Sequence, residues 1–282
     1  MIRQKSFSND NSTLYLVPTP IGNLQEMTPR ALEILNSVDV IACEDTRTSG
    51  QLLKHFDIHK RLIAYQNFNE ESSCKGIVKL LSEGLNVALI SDAGYPLIND
   101  PGQKVVTLAT QEGYNVVPVS GCSAFLNALV ASGLVAQPFL FIGFLPSSSS
   151  ECKKKVQMYK DYPMTFYEAP HRIEKTLRIL LEVFGNRRCT LARELTKLHE
   201  EFLRGTIEEI LEVVNELKGE MVIVVEGNTM DPQEAVTEEV LLQKVEEYIE
   251  KGMKASMAVK EVSKETGVSK NRIYELVHRT KE

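Results

Sequence analysis

Four groups of residues have the types and spacing that ligand binding or group transfer requires. Three are turns rich in Gly, Pro and Ser that each follow a predicted strand: VPTPIGNL (17–24), ISDAGYPLINDPG (90–102) and VSGCSA (119–124). The fourth combines YEAPHR (167–172) with ARELTK (192–197), which mix acids and bases at the ends of later predicted strands. Because α/β proteins bind ligands at the carboxyl ends of their strands, these segments are the candidate binding loops.

The first loop resembles a dinucleotide site in layout but lacks its chemistry. A turn leads into a helix, and Glu44 and Asp45 follow about twenty residues on, after the second predicted strand. The required Gly-x-Gly-x-x-Gly is absent, and Pro18 and Pro20 stand where free N–H groups should meet phosphate. No Walker sequence occurs either, so the sequence argues against both a dinucleotide enzyme and a nucleoside triphosphatase.

Titratable residues in the other groups could take part in catalysis. Asp92 and Asp100 lie in a thirteen-residue loop whose composition exceeds what a simple turn needs. His171 could act as a general base, because imidazole titrates near neutral pH, although a histidine beside a Pro helix start is more often a surface or substrate-contact residue. No cluster of His, Cys, Asp and Glu has metal-ligand spacing, so we expect no metal site.

The elements that must position these loops alternate between strands and helices. Strands are predicted at 13–17, 38–42, 87–90 and 115–119, and helices near 46–54, 70–83, 101–112 and 123–132. After residue 137 the pattern restarts with strands at 139–142, 164–167, 190–193 and 221–225, and a polar surface loop is expected around 147–155. This alternation predicts an α/β fold with a largely parallel sheet, in two domains spanning 12–137 and 138–229.

A third, helical domain is predicted at 236–282, after a linker at 228–232. Its segment from Ala258 to Val277 resembles a helix-turn-helix: Ala258 and Val262 face inward and Gly267 makes the turn. Residues 251–281 contain eight Lys or Arg against three Glu, and residues 152–204 contain twelve against seven Asp or Glu. The excess in the tail fits a nucleic-acid contact, but a solvated face on an ordinary three-helix unit explains it equally well.

Composition limits the class of protein. The chain has 282 residues, 43% of them hydrophobic and 25% charged, which is typical of a soluble globular protein. Its net charge of −6 argues, taken alone, against a protein that coats itself in nucleic acid. The five cysteines form no CxxC pair, and neither a signal peptide nor a membrane-spanning run is apparent, so we expect a cytoplasmic protein with free thiols.

Taken together, six ordered motifs resemble the tetrapyrrole-methylase superfamily of S-adenosylmethionine-dependent methyltransferases. They are LYLVPTPIGNL (14–24), EDTRTS (44–49), SDAGYPLINDPG (91–102), VSGCSA (119–124), FYEAPHR (166–172) and ARELTK (192–197). The resemblance covers residues 12–282. It is strongest to the bacterial branch that methylates the ribose 2′-hydroxyl of a cytidine in small-subunit (16S) ribosomal RNA, a branch in which the helix-turn-helix-like tail is typical.

The resemblance implies a site and partners. S-adenosyl-L-methionine would lie in a cleft between the two α/β domains, and the partners would be ribosomal RNA or the small ribosomal subunit and a second copy of the chain in a homodimer. The residues that would hold the cofactor are Ile21, Asp92, Gly94, Tyr95, Ser123, Ala124, Tyr167, Leu195 and Met221.

A ribose hydroxyl is a poor nucleophile, so a base is expected near it. We predict Asp45 or Glu194 as the proton acceptor, with Arg47 and Arg193 holding phosphate. His171, Arg172 and Lys197 are further candidates for RNA contact, while structural salt bridges would explain any one of these charges nearly as well.

Two other functions remain open on the sequence alone. A corrin or porphyrin C-methyltransferase would use the same fold, but it has no use for a basic helix-turn-helix-like tail. A DNA-binding regulator with a sensor domain would use the tail as its reader and the cleft motifs only as a sensor pocket. We expect an RNA ribose methyltransferase ahead of both.

Overall fold

The structure is a computed structural model that describes residues 1–6, 8–66, 70–134, 137–228 and 238–279. The chain divides into two compact units, residues 1–227 and 228–282. The predicted linker at 228–232 lies, apart from Asn228, outside the described residues, as do the first positions of the predicted third domain.

The first half of the larger unit is a five-stranded sheet in the order β3-β2-β4-β1-β5, and every neighbouring pair is parallel. Its central strands are buried and strongly apolar, as expected where helices cover both faces of a parallel sheet. The strands are β1 (Thr13–Val17), β2 (Val40–Cys43), β3 (Arg61–Ala64), β4 (Val87–Ile90) and β5 (Asn115–Pro118). The helices are α1 (Pro29–Ser37), α2 (Thr46–His55), α3 (Glu70–Ser82), α4 (Gln103–Gln111) and α5 (Ala124–Ala131).

The second half of this unit is a five-stranded mixed sheet in the order β6-β7-β10-β8-β9, in which only β6 and β7 run parallel. The expectation of a largely parallel sheet is therefore wrong for this half. The strands are β6 (Leu140–Phe144), β7 (Met164–Glu168), β8 (Arg188–Arg193), β9 (Glu201–Thr206) and β10 (Met221–Val225). The helices are α6 (Ser149–Met158), α7 (Ile173–Phe184) and α8 (Ile207–Val213).

Helix α6 corrects a second expectation, the polar loop around 147–155. Ser148 precedes the helix, and Cys152 and Val156 form its buried face, four residues apart. The three lysines at 153–155 conceal this short apolar stripe in the sequence. The predicted domain boundary at 137/138 falls between the strands of the two sheets and stays a prediction, because both sheets lie within one compact unit.

The smaller unit, described by itself, is a three-helix structure with its own apolar core. The helices are α9 (Glu238–Glu250), α10 (Ala255–Thr266) and α11 (Lys270–Arg279). Ala258, Val262 and Ile273 are fully buried in that core, and Gly267 ends α10 in the left-handed conformation at φ 73°. The predicted inward positions and turn are thus confirmed. No helix in the described part of the chain is long and apolar enough to cross a membrane.

Candidate ligand cavity of the larger unit

The carboxyl ends of β4, β1 and β5 lie side by side in the first sheet, and their loops form one wall of a cavity of about 400 Å³. The opposite wall comes from the ends of β6, β7 and β8 and the start of β10. The cavity therefore lies between the two sheets, within the range of volumes typical of small-molecule sites. Its lining includes all nine residues expected to hold the cofactor: Ile21, Asp92, Gly94, Tyr95, Ser123, Ala124, Tyr167, Leu195 and Met221.

Short hydrogen bonds fix the loops of the first wall. The backbone of Thr19 bonds that of Gly94 in both directions at 3.0 Å, which ties the β1 loop to the β4 loop. The Ser91 hydroxyl donates to the Gly94 carbonyl at 2.6 Å, and the backbone N–H of Gly121 donates to the Tyr95 hydroxyl at 3.0 Å. Gly94 has φ 77°, a conformation that a side chain would strain. These contacts hold the loops of this wall together.

The second wall supplies aromatic and apolar surface. Tyr167 packs against Phe141 and Phe144, with ring centroids 5.2 and 5.6 Å apart. Burial raises the pKa of the Tyr167 phenol above its usual range. Leu195 and Met221 complete an apolar surface against which a planar or aliphatic ligand can pack.

Among the described residues that line the cavity, every charged residue is acidic: Asp92, Asp100, Glu168 and Glu220. Burial, followed by the charges of Glu44 and Asp92, raises the pKa of Asp100 to about 6. Burial also raises the pKa of Asp92; a hydrogen bond from the Asp45 backbone opposes this rise, and the charge of Asp45 adds a smaller contribution to it. A lining that holds carboxylates and no Lys, Arg or His favours a cationic ligand and disfavours a phosphate-bearing one.

Glu168 is a structural member of this lining. Its side chain is fully buried and accepts hydrogen bonds from Thr176 Oγ1 at 2.6 Å and from the Ala169 backbone N–H at 2.9 Å. Arg172 Nε lies 3.2 Å from its carboxylate. These partners satisfy the charge, so Glu168 holds β7 to the start of α7.

The two residues predicted as proton acceptors do not line this cavity. Asp45 caps α2, and its carboxylate pairs with Arg47 at 2.9 Å, which lowers the pKa of Asp45 to about 2. Glu194 lies 3.2 Å from Lys197 Nζ and accepts from the Glu220 backbone N–H. Although burial opposes the shift, the bonds to Lys197 and the backbone leave the pKa of Glu194 below its usual range. Both residues stay predictions for the catalytic role.

The predicted RNA-contact residues fall into two groups. Arg47 and His171 are exposed outside the cavity. Arg172, Arg193 and Lys197 are engaged in ion pairs with Glu168, Glu201 and Glu194, respectively. Arg172 also donates to the carbonyls of Leu145 and Pro146. The motifs selected from the sequence contain the loops that line the cavity, and their role in binding stays a prediction. Asn99, Phe144 and Glu220 also line the cavity but were not selected, and of these only Asn99 lay in a recognised motif.

Comparison with known proteins agrees with this geometry. A family model described as Tetrapyrrole (Corrin/Porphyrin) Methylases matches residues 13–211. "Ribosomal RNA small subunit methyltransferase I" of Halalkalibacterium halodurans is 44% identical, covering 99% of both chains, and the protein of that name from Bacillus subtilis is 45% identical, covering 98% of both.

Solved structures show the same fold at low identity. Diphthine synthase has a TM-score of 0.59 at 14% identity, covering 76% of this chain and 90% of its own. Uroporphyrin-III-C-methyltransferase from Thermus thermophilus has a TM-score of 0.54 at 19% identity, covering 77% and 92%. From the family match and the full-length relatives, the chain belongs to the tetrapyrrole (corrin/porphyrin) methylase family.

Proposed function

We propose that the chain transfers a methyl group from S-adenosylmethionine to the ribose 2′-hydroxyl of a cytidine in small-subunit ribosomal RNA. The observation that carries the cofactor assignment is the lining of the 400 Å³ cavity, which combines apolar walls with carboxylates and holds no cationic side chain among its described residues. The full-length relatives named as small-subunit ribosomal RNA methyltransferases support the substrate class.

The lining fits this cofactor in charge and shape. When bound, S-adenosylmethionine supplies an electrophilic methyl group on a positively charged sulfur. Asp92 and Asp100 would offer negative charge to this cationic ligand, and Ile21, Leu195 and Met221 would offer apolar surface to it. Gly94, Tyr95, Ser123, Ala124 and Tyr167 complete the proposed binding set. The hydrogen-bonded β1 and β4 loops hold these groups in place, which favours a single orientation of the donor.

The ribose hydroxyl must lose its proton during methyl transfer, so a carboxylate near the cavity is needed. Asp92 and Asp100 line the cavity, and their raised pKa values bring them nearer to neutral pH, where a base works best. Asp45 and Glu194 have lowered pKa values and ion-pair partners. We therefore favour Asp92 and Asp100 over the two acids that sequence reasoning selected.

For the RNA, we propose that the exposed Arg47 and His171 contact the backbone. Arg172, Arg193 and Lys197 would act there only by exchanging their present carboxylate partners for phosphate, a change that costs the existing ion pairs. Arg47 also pairs with Asp45, but its side chain is 87% exposed, so exchange of this partner for phosphate costs less. On this ground Arg47 and His171 rank ahead of the other three.

We also propose that the enzyme works in the cytoplasm as a homodimer. Leu126 and Val130 lie one turn apart on α5 and are 46% and 74% exposed, which supports an apolar contact with a second copy. Val130→Asp should convert dimer to monomer in light scattering coupled to size-exclusion chromatography, whereas a monomeric wild-type chain would contradict the dimer.

Nucleoside mass spectrometry tests the function directly. Ribosomal RNA from cells that lack the gene should lose one 2′-O-methylcytidine, and the wild-type gene should restore it. The Asp92→Ala gene should not restore it, because this variant lacks a carboxylate that lines the cavity proposed for the cofactor. An unchanged profile in the deletion strain would overturn the proposal. Methylation of a tetrapyrrole in its place would assign the chain to the branch of uroporphyrin methyltransferases.

A further inference from the structure

A second cavity of about 420 Å³ lies beside the first, at the carboxyl ends of β1, β2 and β4. The β1 loop borders both cavities: Ile21 lines the first, while its neighbours Pro20 and Gly22 line the second. Asp92 lines both. The second cavity is therefore next to the proposed donor site and shares with it a carboxylate whose pKa is raised.

One face of α2 forms the polar side of this cavity. Thr48, Gln51, Leu52 and His55 repeat at the spacing of helix turns and all line it. They bring a hydroxyl, an amide and an imidazole to one surface. The motif that contains Thr48, EDTRTS, has no member in the lining of the first cavity, so the proposed cofactor site leaves its purpose unexplained.

Ser49 provides a second observation. Its residue is 2% exposed and lines the cavity, and its Oγ lies beside the Cys43 thiol, a weak hydrogen-bonding group, with no nitrogen or oxygen partner among the described residues. A buried hydroxyl whose neighbour is only a thiol is poorly satisfied, and a ligand that reached it could supply a stronger bond.

We propose that the second cavity holds the acceptor ribonucleoside, turned out of the RNA, so that its 2′-hydroxyl meets the donor at the Asp92 wall. The inference rests on the proposed function. Enzymes that modify a nucleotide take it out of the stack into a pocket and recognise its base by hydrogen bonds and stacking. Gln51 offers a donor and an acceptor to the edge of a pyrimidine, Ser49 and Thr48 offer hydroxyls, and the His55 ring offers a stacking face.

The charges around the cavity fit the same ligand. No Lys or Arg is among the described residues that line it, so an uncharged base and sugar suit the interior better than a phosphate does. Lys197 reaches the rim: a Cβ placed on Gly22 would lie 2.6 Å from Lys197 Cγ. To meet the phosphate that links the nucleoside to the RNA strand, the Lys197 ammonium would exchange its ion pair with Glu194 for that phosphate.

Three single variants in the full chain test the inference. Ser49→Ala and Gln51→Met remove hydrogen-bonding groups from the cavity at nearly constant volume. Lys54→Met is the control, since Lys54 is exposed on the same helix and does not line the cavity. Methylation of small-subunit ribosomal RNA gives kcat and KM, calorimetry gives the Kd for S-adenosylmethionine, and thermal denaturation gives the Tm.

We expect Ser49→Ala and Gln51→Met each to lower kcat/KM for RNA at least fivefold. The Kd for S-adenosylmethionine should stay within twofold of wild type and the Tm should not fall. Lys54→Met should match wild type in all three. Unchanged kcat/KM in both cavity variants, with an active wild type, would overturn the inference and leave the proposed function standing. A parallel loss of cofactor affinity would instead make the second cavity part of the cofactor site. A wild type inactive on ribosomal RNA would refute the proposed function itself.

Discussion

Asp100 is a residue whose ionised form is disfavoured in the folded chain. Burial and the nearby carboxylates of Glu44 and Asp92 raise its pKa to about 6, above the value near 4 of an unfolded chain. The folded state therefore binds a proton more tightly than the unfolded state. The stability associated with this group is fully present below about pH 4 and is lost as the pH rises through 6.

Asp100→Asn should consequently raise the Tm at pH 8, by about 2–4 °C, and change it little at pH 4. The same substitution should weaken S-adenosylmethionine binding at pH 8 by about tenfold, because it removes a negative charge from the cavity that we propose for a cationic ligand. Scanning calorimetry at the two pH values and isothermal titration at pH 8 measure these effects. Asp10→Asn, at an exposed position, is the control. A lowered Tm at pH 8 would show that Asp100 stabilises the fold through a charge contact.

At the same scale, the nine cofactor candidates all line one cavity, whereas the two candidate bases lie outside it; both roles stay predictions. Most of the nine cofactor candidates lie in motifs at the ends of strands. Because ligands bind at the carboxyl ends of the strands in α/β sheets, the motifs alone predicted that these residues lie close together. Asp45 and Glu194 also lie in such motifs. Their side chains instead pair with Arg47 and Lys197, two and three residues on. Sequence spacing shows that such local ion pairs can form, but it does not show whether the acidic side chain points toward the pair or toward the cavity.

Arg172 connects three elements of the second sheet. Arg172 immediately precedes α7. Its guanidinium donates to the carbonyl of Leu145, just after β6, at 2.7 Å. The same guanidinium lies 3.2 Å from the buried carboxylate of Glu168, at the end of β7. Removal of the arginine would leave a buried negative charge without its cation. Loss of one partner of a buried pair is among the larger single-residue effects on stability.

Arg172→Ala should therefore lower the free energy of unfolding by about 3–5 kcal/mol in urea denaturation. Arg178→Ala is a matched control on the same helix: Arg178 forms an exposed i,i+4 pair with Glu174 at 2.7 Å. Its loss should cost less than about 1 kcal/mol. Equal effects of the two substitutions would mean that the Glu168–Arg172 pair stabilises the fold no more than an exposed pair does.

The elements of the first sheet were largely predictable, and those of the second were less so. Buried parallel strands such as β4 are short apolar runs that the sequence shows directly. Strand β9 (Glu201–Thr206) has only two large apolar residues, Phe202 and Leu203, and lies at the edge of its sheet, so its apolar signal is weak. The seven residues between β8 and β9 are too few for a parallel crossover, which explains the antiparallel pairing. The order of strands in a sheet depends on packing between segments far apart in the chain, which local sequence patterns do not show.

The net charge of the whole molecule does not show how positive and negative residues are distributed along the chain. The segments 152–204 and 251–281 each carry +5, so the other residues total about −16 against an overall −6. An acidic chain with two basic segments can bind RNA locally and release it, because phosphate contacts give an affinity that salt weakens. In the smaller unit, Lys270 and Arg272 are exposed at the start of α11 and have no ion-pair partner within residues 238–279.

The double variant Lys270→Ala/Arg272→Ala should raise KM for ribosomal RNA at least fivefold at moderate salt. The slope of log KM against log salt concentration should fall by about 1–2, since each lost phosphate contact releases about one counterion fewer. Lys244→Ala serves as the control because Lys244 already pairs with Glu265 at 2.9 Å. The Kd for S-adenosylmethionine should be unaffected in both. If the salt slope of the double variant equals that of wild type, the positive charge of α11 is a solvated helix face, and the smaller unit must serve the enzyme in another way.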